Sequence, residues 1–198
     1  DRAFAAADTL ATSYVLARAV QKNNAVDLVL CGRQAIEGNT AQVGPQLADK
    51  LGINQLTYVE KIEEIKNDTI SVWRDVEDGS ELVGSAMPVL LTVTDSANIP
   101  RPPSAKKTMQ YKKALSPAEL GDAPEREQLL NGRGLLIEQW DAAGLDVDPA
   151  LCGLAGSPTR VKKIQSVVLK GKEFKRVEPT EAGITELLEE LVADYTFD

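Results

Sequence analysis

Residues 27–52, DLVLCGRQAIEGNTAQVGPQLADKLG, constrain this chain more than any other stretch, because they write a strand, a glycine-marked loop and a helix start in succession. Residues 26–30 are a short apolar run of mostly branched side chains, entered through the polar Lys22, Asn23 and Asn24. Such a run suits a strand buried on both faces of a parallel sheet. Gly32 closes it. Asn39 stands three residues before Gln42, a spacing that predicts an Asn helix cap with Gln42 reaching back to the helix start. Val43, Leu47 and Leu51 follow at i, i+4, i+8 as one apolar stripe, and Gly52 is placed to stop the helix. In open α/β sheets, a loop between a parallel strand's carboxyl end and a helix amino end is where ligands bind. Unpaired N–H groups and the helix dipole there both favour an anion.

The flanking sequence extends this pattern. Asp8 precedes a segment running to about Lys22 with Leu10, Tyr14 and Ala17 at i, i+4, i+7, which predicts a capped amphipathic helix. Asp8, Thr9 and Thr12 at its start are open to two readings, cap and first-turn residues or phosphate and ribose contacts. Residues 55–59 read as a further strand. Ile70, Val72, Arg74 and Val76 then alternate with polar partners, Asp78-Gly79 is a hairpin signal, and residues 81–85 return. Residues 89–94 form another apolar strand. The fold class expected is therefore α/β, a doubly wound, mostly parallel sheet with an antiparallel hairpin added.

From Ile99 the character changes, with Pro100, Pro102 and Pro103 around Arg101 and then Lys106, Lys107, Lys112 and Lys113. This is either a Pro-stiffened loop with a solvated basic helix or a basic docking surface on an otherwise acidic protein. Residues 116–169 are irregular and rich in Gly and Pro, poorly suited to closing a core of their own, and read as an arm that packs on something else. Residues 180–193 carry Ile184, Leu187, Leu188, Leu191 and Val192 at helical spacing with acids opposite, a docking helix. The expected organisation is a nucleotide-binding domain over residues 1–115 and an arm with its helix over residues 116–198.

Composition removes several kinds of chemistry. There is no histidine, and Cys31 and Cys152 are the two cysteines, so no Ser-His-Asp or Cys-His device, His-based zinc site or Cys₄ cluster can be built. No metal site is expected. Cys31, ending a buried strand, reads as a small core hydrophobe, and the cysteine usage fits a reducing, cytoplasmic compartment. A net charge of −8 argues against nucleic acid as partner. No stretch approaches the roughly 18 consecutive apolar residues of a membrane span.

The central loop has neither GxxxxGK[ST] nor GxGxxG. It offers Gly32 and Gly38, the polar side chains of Asn39, Thr40 and Gln42, and the cation Arg33, groups that suit a pyrophosphate. By pattern alone, nucleotide binding and a purely structural βα loop both remain open.

The run from Asp27 through Cys31-Gly32-Arg33-Gln34-Ala35-Ile36-Glu37-Gly38-Asn39-Thr40-Ala41-Gln42-Val43-Gly44-Pro45 closely resembles the nucleotide-binding segment of the electron transfer flavoprotein beta subunit. Asp1-Arg-Ala-Phe with Ala7-Asp8-Thr9, Pro100-Arg101 before a lysine-rich helix, and Gly153-Leu-Ala-Gly-Ser-Pro-Thr-Arg-Val agree with it, so the resemblance spans essentially the whole chain. Relative to that family, the first strands and first nucleotide contacts are expected to be missing from the amino end. The resemblance implies an electron carrier with no catalytic side chain, whose arm wraps an alpha subunit that carries FAD. Asp8, Thr9, Thr12, Cys31, Gly32, Arg33, Gln34, Ala35, Ile36, Glu37, Gly38, Asn39, Thr40, Gln42 and Val43 are the nucleotide-binding residues it implies.

Residues 38–45, with Ala7-Asp8-Thr9, look more like the electron-bifurcating members, which implies FAD in this chain; AMP is the alternative. Bifurcation implies further partners: NADH as hydride donor, ferredoxin or flavodoxin as one acceptor, and a flavin dehydrogenase docking between Arg101 and Lys113. One departure matters. Where the family places an aromatic and then a leucine after Pro-Arg, this chain has Pro102, Pro103, Ser104 and Ala105, so a standard acyl-CoA dehydrogenase is in doubt as partner. Two rivals stand beside this reading. A free-standing nucleotide-binding regulatory module, similar in fold to universal stress proteins, would not need the arm. An ATP pyrophosphatase would need a Ser-Gly-Gly phosphate loop, which this sequence lacks.

Overall fold

The structure, a computed structural model of the 198-residue chain, describes residues 1–36, 38–162 and 176–193. Asp1–Arg160 form one compact unit and Val161–Asp198 a second.

The first unit is built on a five-stranded sheet of order β1-β5-β2-β3-β4. These are β1 (Leu28–Gly32), β2 (Asn54–Lys66), β3 (Thr69–Val76), β4 (Gly79–Ala86) and β5 (Val89–Val93). β1, β5 and β2 run parallel, and β2, β3 and β4 form an antiparallel meander. β5 lies between two parallel neighbours, which is why its sequence is apolar without alternation. Val89 and Leu91 join Val59, Ile70 and Val72 in one core cluster, and Leu90 joins Ala17, Leu47 and Ala48 in another.

β1 differs from the strand expected at residues 26–30. It starts at Leu28 and forms an edge of the sheet, so Leu28, Val29 and Cys31 pack inward while Leu30 is 60 % exposed. The meander is longer than expected, because β2 continues to Lys66 and turns through Asn67 and Asp68, both at positive φ. That pair supplies the two left-handed positions of a tight hairpin turn. The hairpin signal at Asp78-Gly79 does join β3 to β4.

α1 (Thr9–Lys22) and α2 (Val43–Leu51) pack against each other and against the sheet. α2 buries Leu47 and Ala48 and stops at Gly52, whose φ of 67° is left-handed. The buried side of α1 is Ala11, Ser13 and Ala17 rather than the expected Leu10–Tyr14–Ala17 stripe. Small side chains let α1 lie close to its neighbour, and Leu10 remains 39 % exposed.

After β5 come α3 (Ala105–Tyr111), α4 (Pro117–Leu120) and α5 (Pro124–Gly132). Residues 140–159, expected to pack on something else, close on α1 of this same chain. Arg18 pairs with Asp146 at 3.0 Å, and Lys22 donates to the Gly144 carbonyl at 2.8 Å while lying 4.8 Å from the Trp140 ring centroid. The Asp148 N–H donates to the Tyr14 hydroxyl at 3.0 Å. Polar and backbone contacts hold this segment, and hydrophobic periodicity cannot announce them. In the second unit, α6 (Glu181–Ala193) matches the helix expected at residues 180–193.

Candidate functional site

β1 and β5 end beside the middle of β2, where the parallel pairing stops, with Gly32 and Val59 both in register with Val93. The Arg33 N–H continues the ladder by donating to the Val93 carbonyl at 3.1 Å. The chain then leaves the sheet as a loop in which residues 33–36 and 38–40 are exposed. Asn39 does not cap α2 as its spacing predicts. It sits at φ 47°, where its N–H donates to the Ala35 carbonyl at 3.1 Å and its side chain accepts from Gln34 at 3.4 Å, so it folds the loop on itself. Gln42 occupies the cap position of α2 and makes no side-chain cap bond. Its amide oxygen instead accepts from the Thr9 hydroxyl at 3.1 Å, which ties the starts of α1 and α2 together.

The amino end of α2 therefore keeps its first N–H groups without a capping side chain, and the helix dipole adds to their pull on an anion. Just before it, Ala41 at φ 51° is followed by right-handed Gln42, an alternation that gathers successive N–H groups into an anion-binding concavity. Gly44 makes this placement possible. A Cβ there would meet Cγ2 of the buried Thr92 at 2.6 Å, so only glycine lets α2 approach β5 this closely.

The other residues expected at the site divide into two groups. Cys31, Gly32, Arg33, Gln34, Ala35, Ile36, Gly38, Asn39, Thr40, Gln42 and Val43 line the strand end, the loop or the helix start, and Thr9 is joined to them through Gln42. Burial pushes the Cys31 thiol up, away from the reactive thiolate. Glu37 lies outside the described residues. Thr12 sits one turn into α1.

Asp8 is committed elsewhere. One carboxylate oxygen accepts from the N–H groups of Leu10 and Ala11, both at 3.0 Å, and the other accepts from the Thr159 N–H at 3.1 Å and hydroxyl at 2.8 Å. Burial opposes its ionisation, but the donors of Ala11, Thr159 and Leu10 outweigh that and hold the carboxyl below its ordinary value of 3.8. Because the folded-state pKa is the lower one, the stabilisation is complete at neutral pH and is lost as pH falls from about 5 through the native pKa. Asp8→Ala is expected to weaken the cap by about 1 kcal/mol at pH 7 and to flatten the acid limb of stability below about pH 5, read from urea midpoints across pH. An unchanged acid limb would remove Asp8 as its source.

Two residues at the site carried no sequence signal. Tyr58 places its ring 5.8 Å from the Arg33 guanidinium, and Thr92 accepts the Tyr58 N–H on Oγ1 at 3.1 Å. Both depend on pairings across β5 that no local motif announces. Taken together, the site offers backbone N–H donors, neutral amides, the Thr40 hydroxyl and the Arg33 guanidinium. That donor set fits the phosphates of a nucleotide, and Arg33 would offset their charge.

Residues 1–118, more than half of the chain, match the family profile of the electron transfer flavoprotein domain. The chain belongs to the electron transfer flavoprotein family. It is 43 % identical over 172 residues to the electron transfer flavoprotein subunit beta of Clostridium acetobutylicum, covering 87 % of this chain and 58 % of that one. Identity to the subunit beta of Megasphaera elsdenii is 37 % over 206 aligned positions, covering 98 % and 67 %. Subunit CarD of the caffeyl-CoA reductase-Etf complex of Acetobacterium woodii is 40 % identical over 171 residues, covering 86 % and 57 %. The chain thus spans between 57 % and 67 % of the length of these curated relatives. The resemblance to electron transfer flavoprotein beta subunits and the α/β fold expected from it both hold. Among the described residues, no helix of this family member is long and apolar enough to cross a membrane.

Proposed function

We propose that this chain is the nucleotide-binding, beta-type subunit of a heterodimeric, electron-bifurcating electron transfer flavoprotein. Arg33, Thr40, Gln42 and the N–H groups of Val43 and Gly44 would hold the pyrophosphate of FAD at the amino end of α2. The observation that carries this reading is that uncapped helix start, held open because Gln42 turns to Thr9. The likeness of residues 38–45, with Ala7-Asp8-Thr9, to electron-bifurcating members supports FAD over structural AMP.

When bound, FAD supplies the exchange between two-electron and one-electron transfer. This chain's residues bind and orient it, and none has to act as acid or base, which agrees with a sequence free of histidine. NADH is the proposed electron source and ferredoxin or flavodoxin one acceptor. The other electron leaves through an alpha subunit with its own FAD to a flavin dehydrogenase. Residues 1–115 carry the nucleotide in this scheme, and residues 116–198 serve the alpha subunit.

Reverse-phase separation of the denatured subunit, freed from its alpha partner, tests the assignment. FAD is expected. AMP would make this a non-bifurcating carrier, and a stable monomer holding ATP and no flavin would make it a regulatory module.

The dehydrogenase surface lies over residues 98–113, all of them exposed. Ser104 caps α3, and Lys106, Lys107, Lys112 and Lys113 stand in solvent around the exposed Met109 and Tyr111. Three prolines before the helix fix the backbone and lower the entropy lost on docking. Ala105 is too small to act as an anchor, so docking should rest on charge and weaken with salt over a screening length of about 8 Å. Lys106→Glu with Lys107→Glu is expected to slow electron delivery to the dehydrogenase about tenfold or more at low salt, leaving NADH-driven flavin reduction intact. Stopped-flow traces separate the two steps; equal loss in both would place the damage in the flavin site instead.

A further inference from the structure

Tyr58 stands at φ 57°, a backbone conformation uncommon for any residue with a side chain and a true outlier for a bulky one. It sits in an irregularity of β2, whose pairing with β5 slips between Leu56 and Val59 and whose pairing with β3 slips between Val59 and Lys61. The ladder is patched around it. The Tyr58 N–H goes to the Thr92 hydroxyl at 3.1 Å, and beyond it the β2–β5 ladder closes where the Thr94 N–H donates to the Val59 carbonyl at 3.0 Å. A bulge of this kind re-aims one side chain within a strand, and strain of this kind persists only where the surrounding structure enforces it.

What the bulge aims is the ring. Arg33 leaves β1 on one side of β5, and Tyr58 belongs to β2 on the other. Two inter-strand spacings amount to about 10 Å, so the guanidinium comes within 5.8 Å of the ring centroid only by lying across the carboxyl end of β5. An exposed arginine left to itself samples many rotamers. Held against an aromatic face, it keeps its edge N–H groups free for a planar, bidentate partner such as a phosphate.

We propose that Tyr58 is a positioning residue. Its ring holds Arg33 across the end of the sheet, so that the phosphates of the nucleotide meet a cation already in place. This rests on the nucleotide reading given above. It adds that the strained bulge in β2 exists to serve the loop after β1, although the two are separated by a whole strand.

The test uses the full heterodimer, stripped of nucleotide and titrated with FAD and separately with AMP, with melting temperatures recorded for every variant. Tyr58→Leu should weaken binding three- to fivefold, the ratio that corresponds to an exposed cation–π contact. Tyr58→Phe should bind like the wild type, because the ring face is kept. Tyr58→Gly should bind as weakly as the Leu variant, since it removes the ring while glycine adopts the positive φ freely. In an Arg33→Ala background, Tyr58→Leu should have no further effect, which separates positioning from direct contact with the ligand. Unchanged binding in Tyr58→Leu, or an equal loss in the Arg33→Ala background, would overturn the proposal. A wild-type complex that binds neither FAD nor AMP would overturn the nucleotide reading itself, and the positioning role with it.

Discussion

Arg33→Ala is expected to release the nucleotide. A charge-assisted contact contributes roughly 1.5–3 kcal/mol, which corresponds to a loss of affinity of about 10- to 150-fold. Arg33 follows directly on the strand end, its N–H bonded at 3.1 Å to Val93, so its backbone is fixed and the substitution removes a side chain without moving the loop. Nucleotide content of the purified complex is the first readout, and titration of the stripped complex gives the magnitude. Arg33→Lys should recover only part of the loss, because a point charge cannot make the planar two-toothed contact. Full retention of nucleotide in Arg33→Ala would end the assignment of this loop to the phosphates.

The second large effect is expected far from the loop, at Gly153→Ala. Gly153 has φ 51°, and a Cβ there would meet the carbonyl oxygens of Ala3 at 2.4 Å and Ala5 at 2.8 Å. Backbone cannot give way as a side-chain tip can. Strained φ and overpacking together should cost about 3 kcal/mol, a fall in melting temperature of roughly 6–12 °C for a chain of this size. The damage would spread to the clamp that Asp8 forms with Thr159, since the Gly153 carbonyl accepts the Ser157 hydroxyl at 2.6 Å and Ser157 accepts the Asp8 N–H at 2.8 Å. Gly132→Ala is the control, as its Cβ would meet nothing within 4 Å. Equal melting temperatures for the two variants would contradict the packing described.

What was legible in the sequence follows from how local each signal is. The Asp8 cap, the Gly52 stop and the Asp78-Gly79 turn are written within a few residues and stand where expected, whereas α2 buries Gly44, Leu47 and Ala48 and keeps only Leu47 of the Val43–Leu47–Leu51 stripe fully inside. The spacing of Asn39 to Gln42 fits a capping pair, but Gln42 is drawn away by Thr9, which comes 33 residues earlier. The small inward face of α1 gave no periodic signal because alanine and serine carry little hydrophobic contrast. Leu30 reads like any buried strand residue; its exposure follows from strand order, which residues 27–52 do not encode. Tyr58 lay furthest out of reach, since a bulge is a property of three strands at once.

The tie between Asp8 and Thr159 spans 151 positions, and this has a kinetic side. Contacts between such distant residues form after the local ones, because the chain between them must first be gathered. During synthesis at about 5–20 residues per second, α1 would wait roughly 8 to 30 s for Thr159 to be made. Over that interval its start keeps the Asp8 cap but lacks the second half of the clamp. Interactions that form this late slow unfolding more than they speed folding. The clamp then acts as a latch on the finished subunit, setting how long it stays folded more than how fast it gets there.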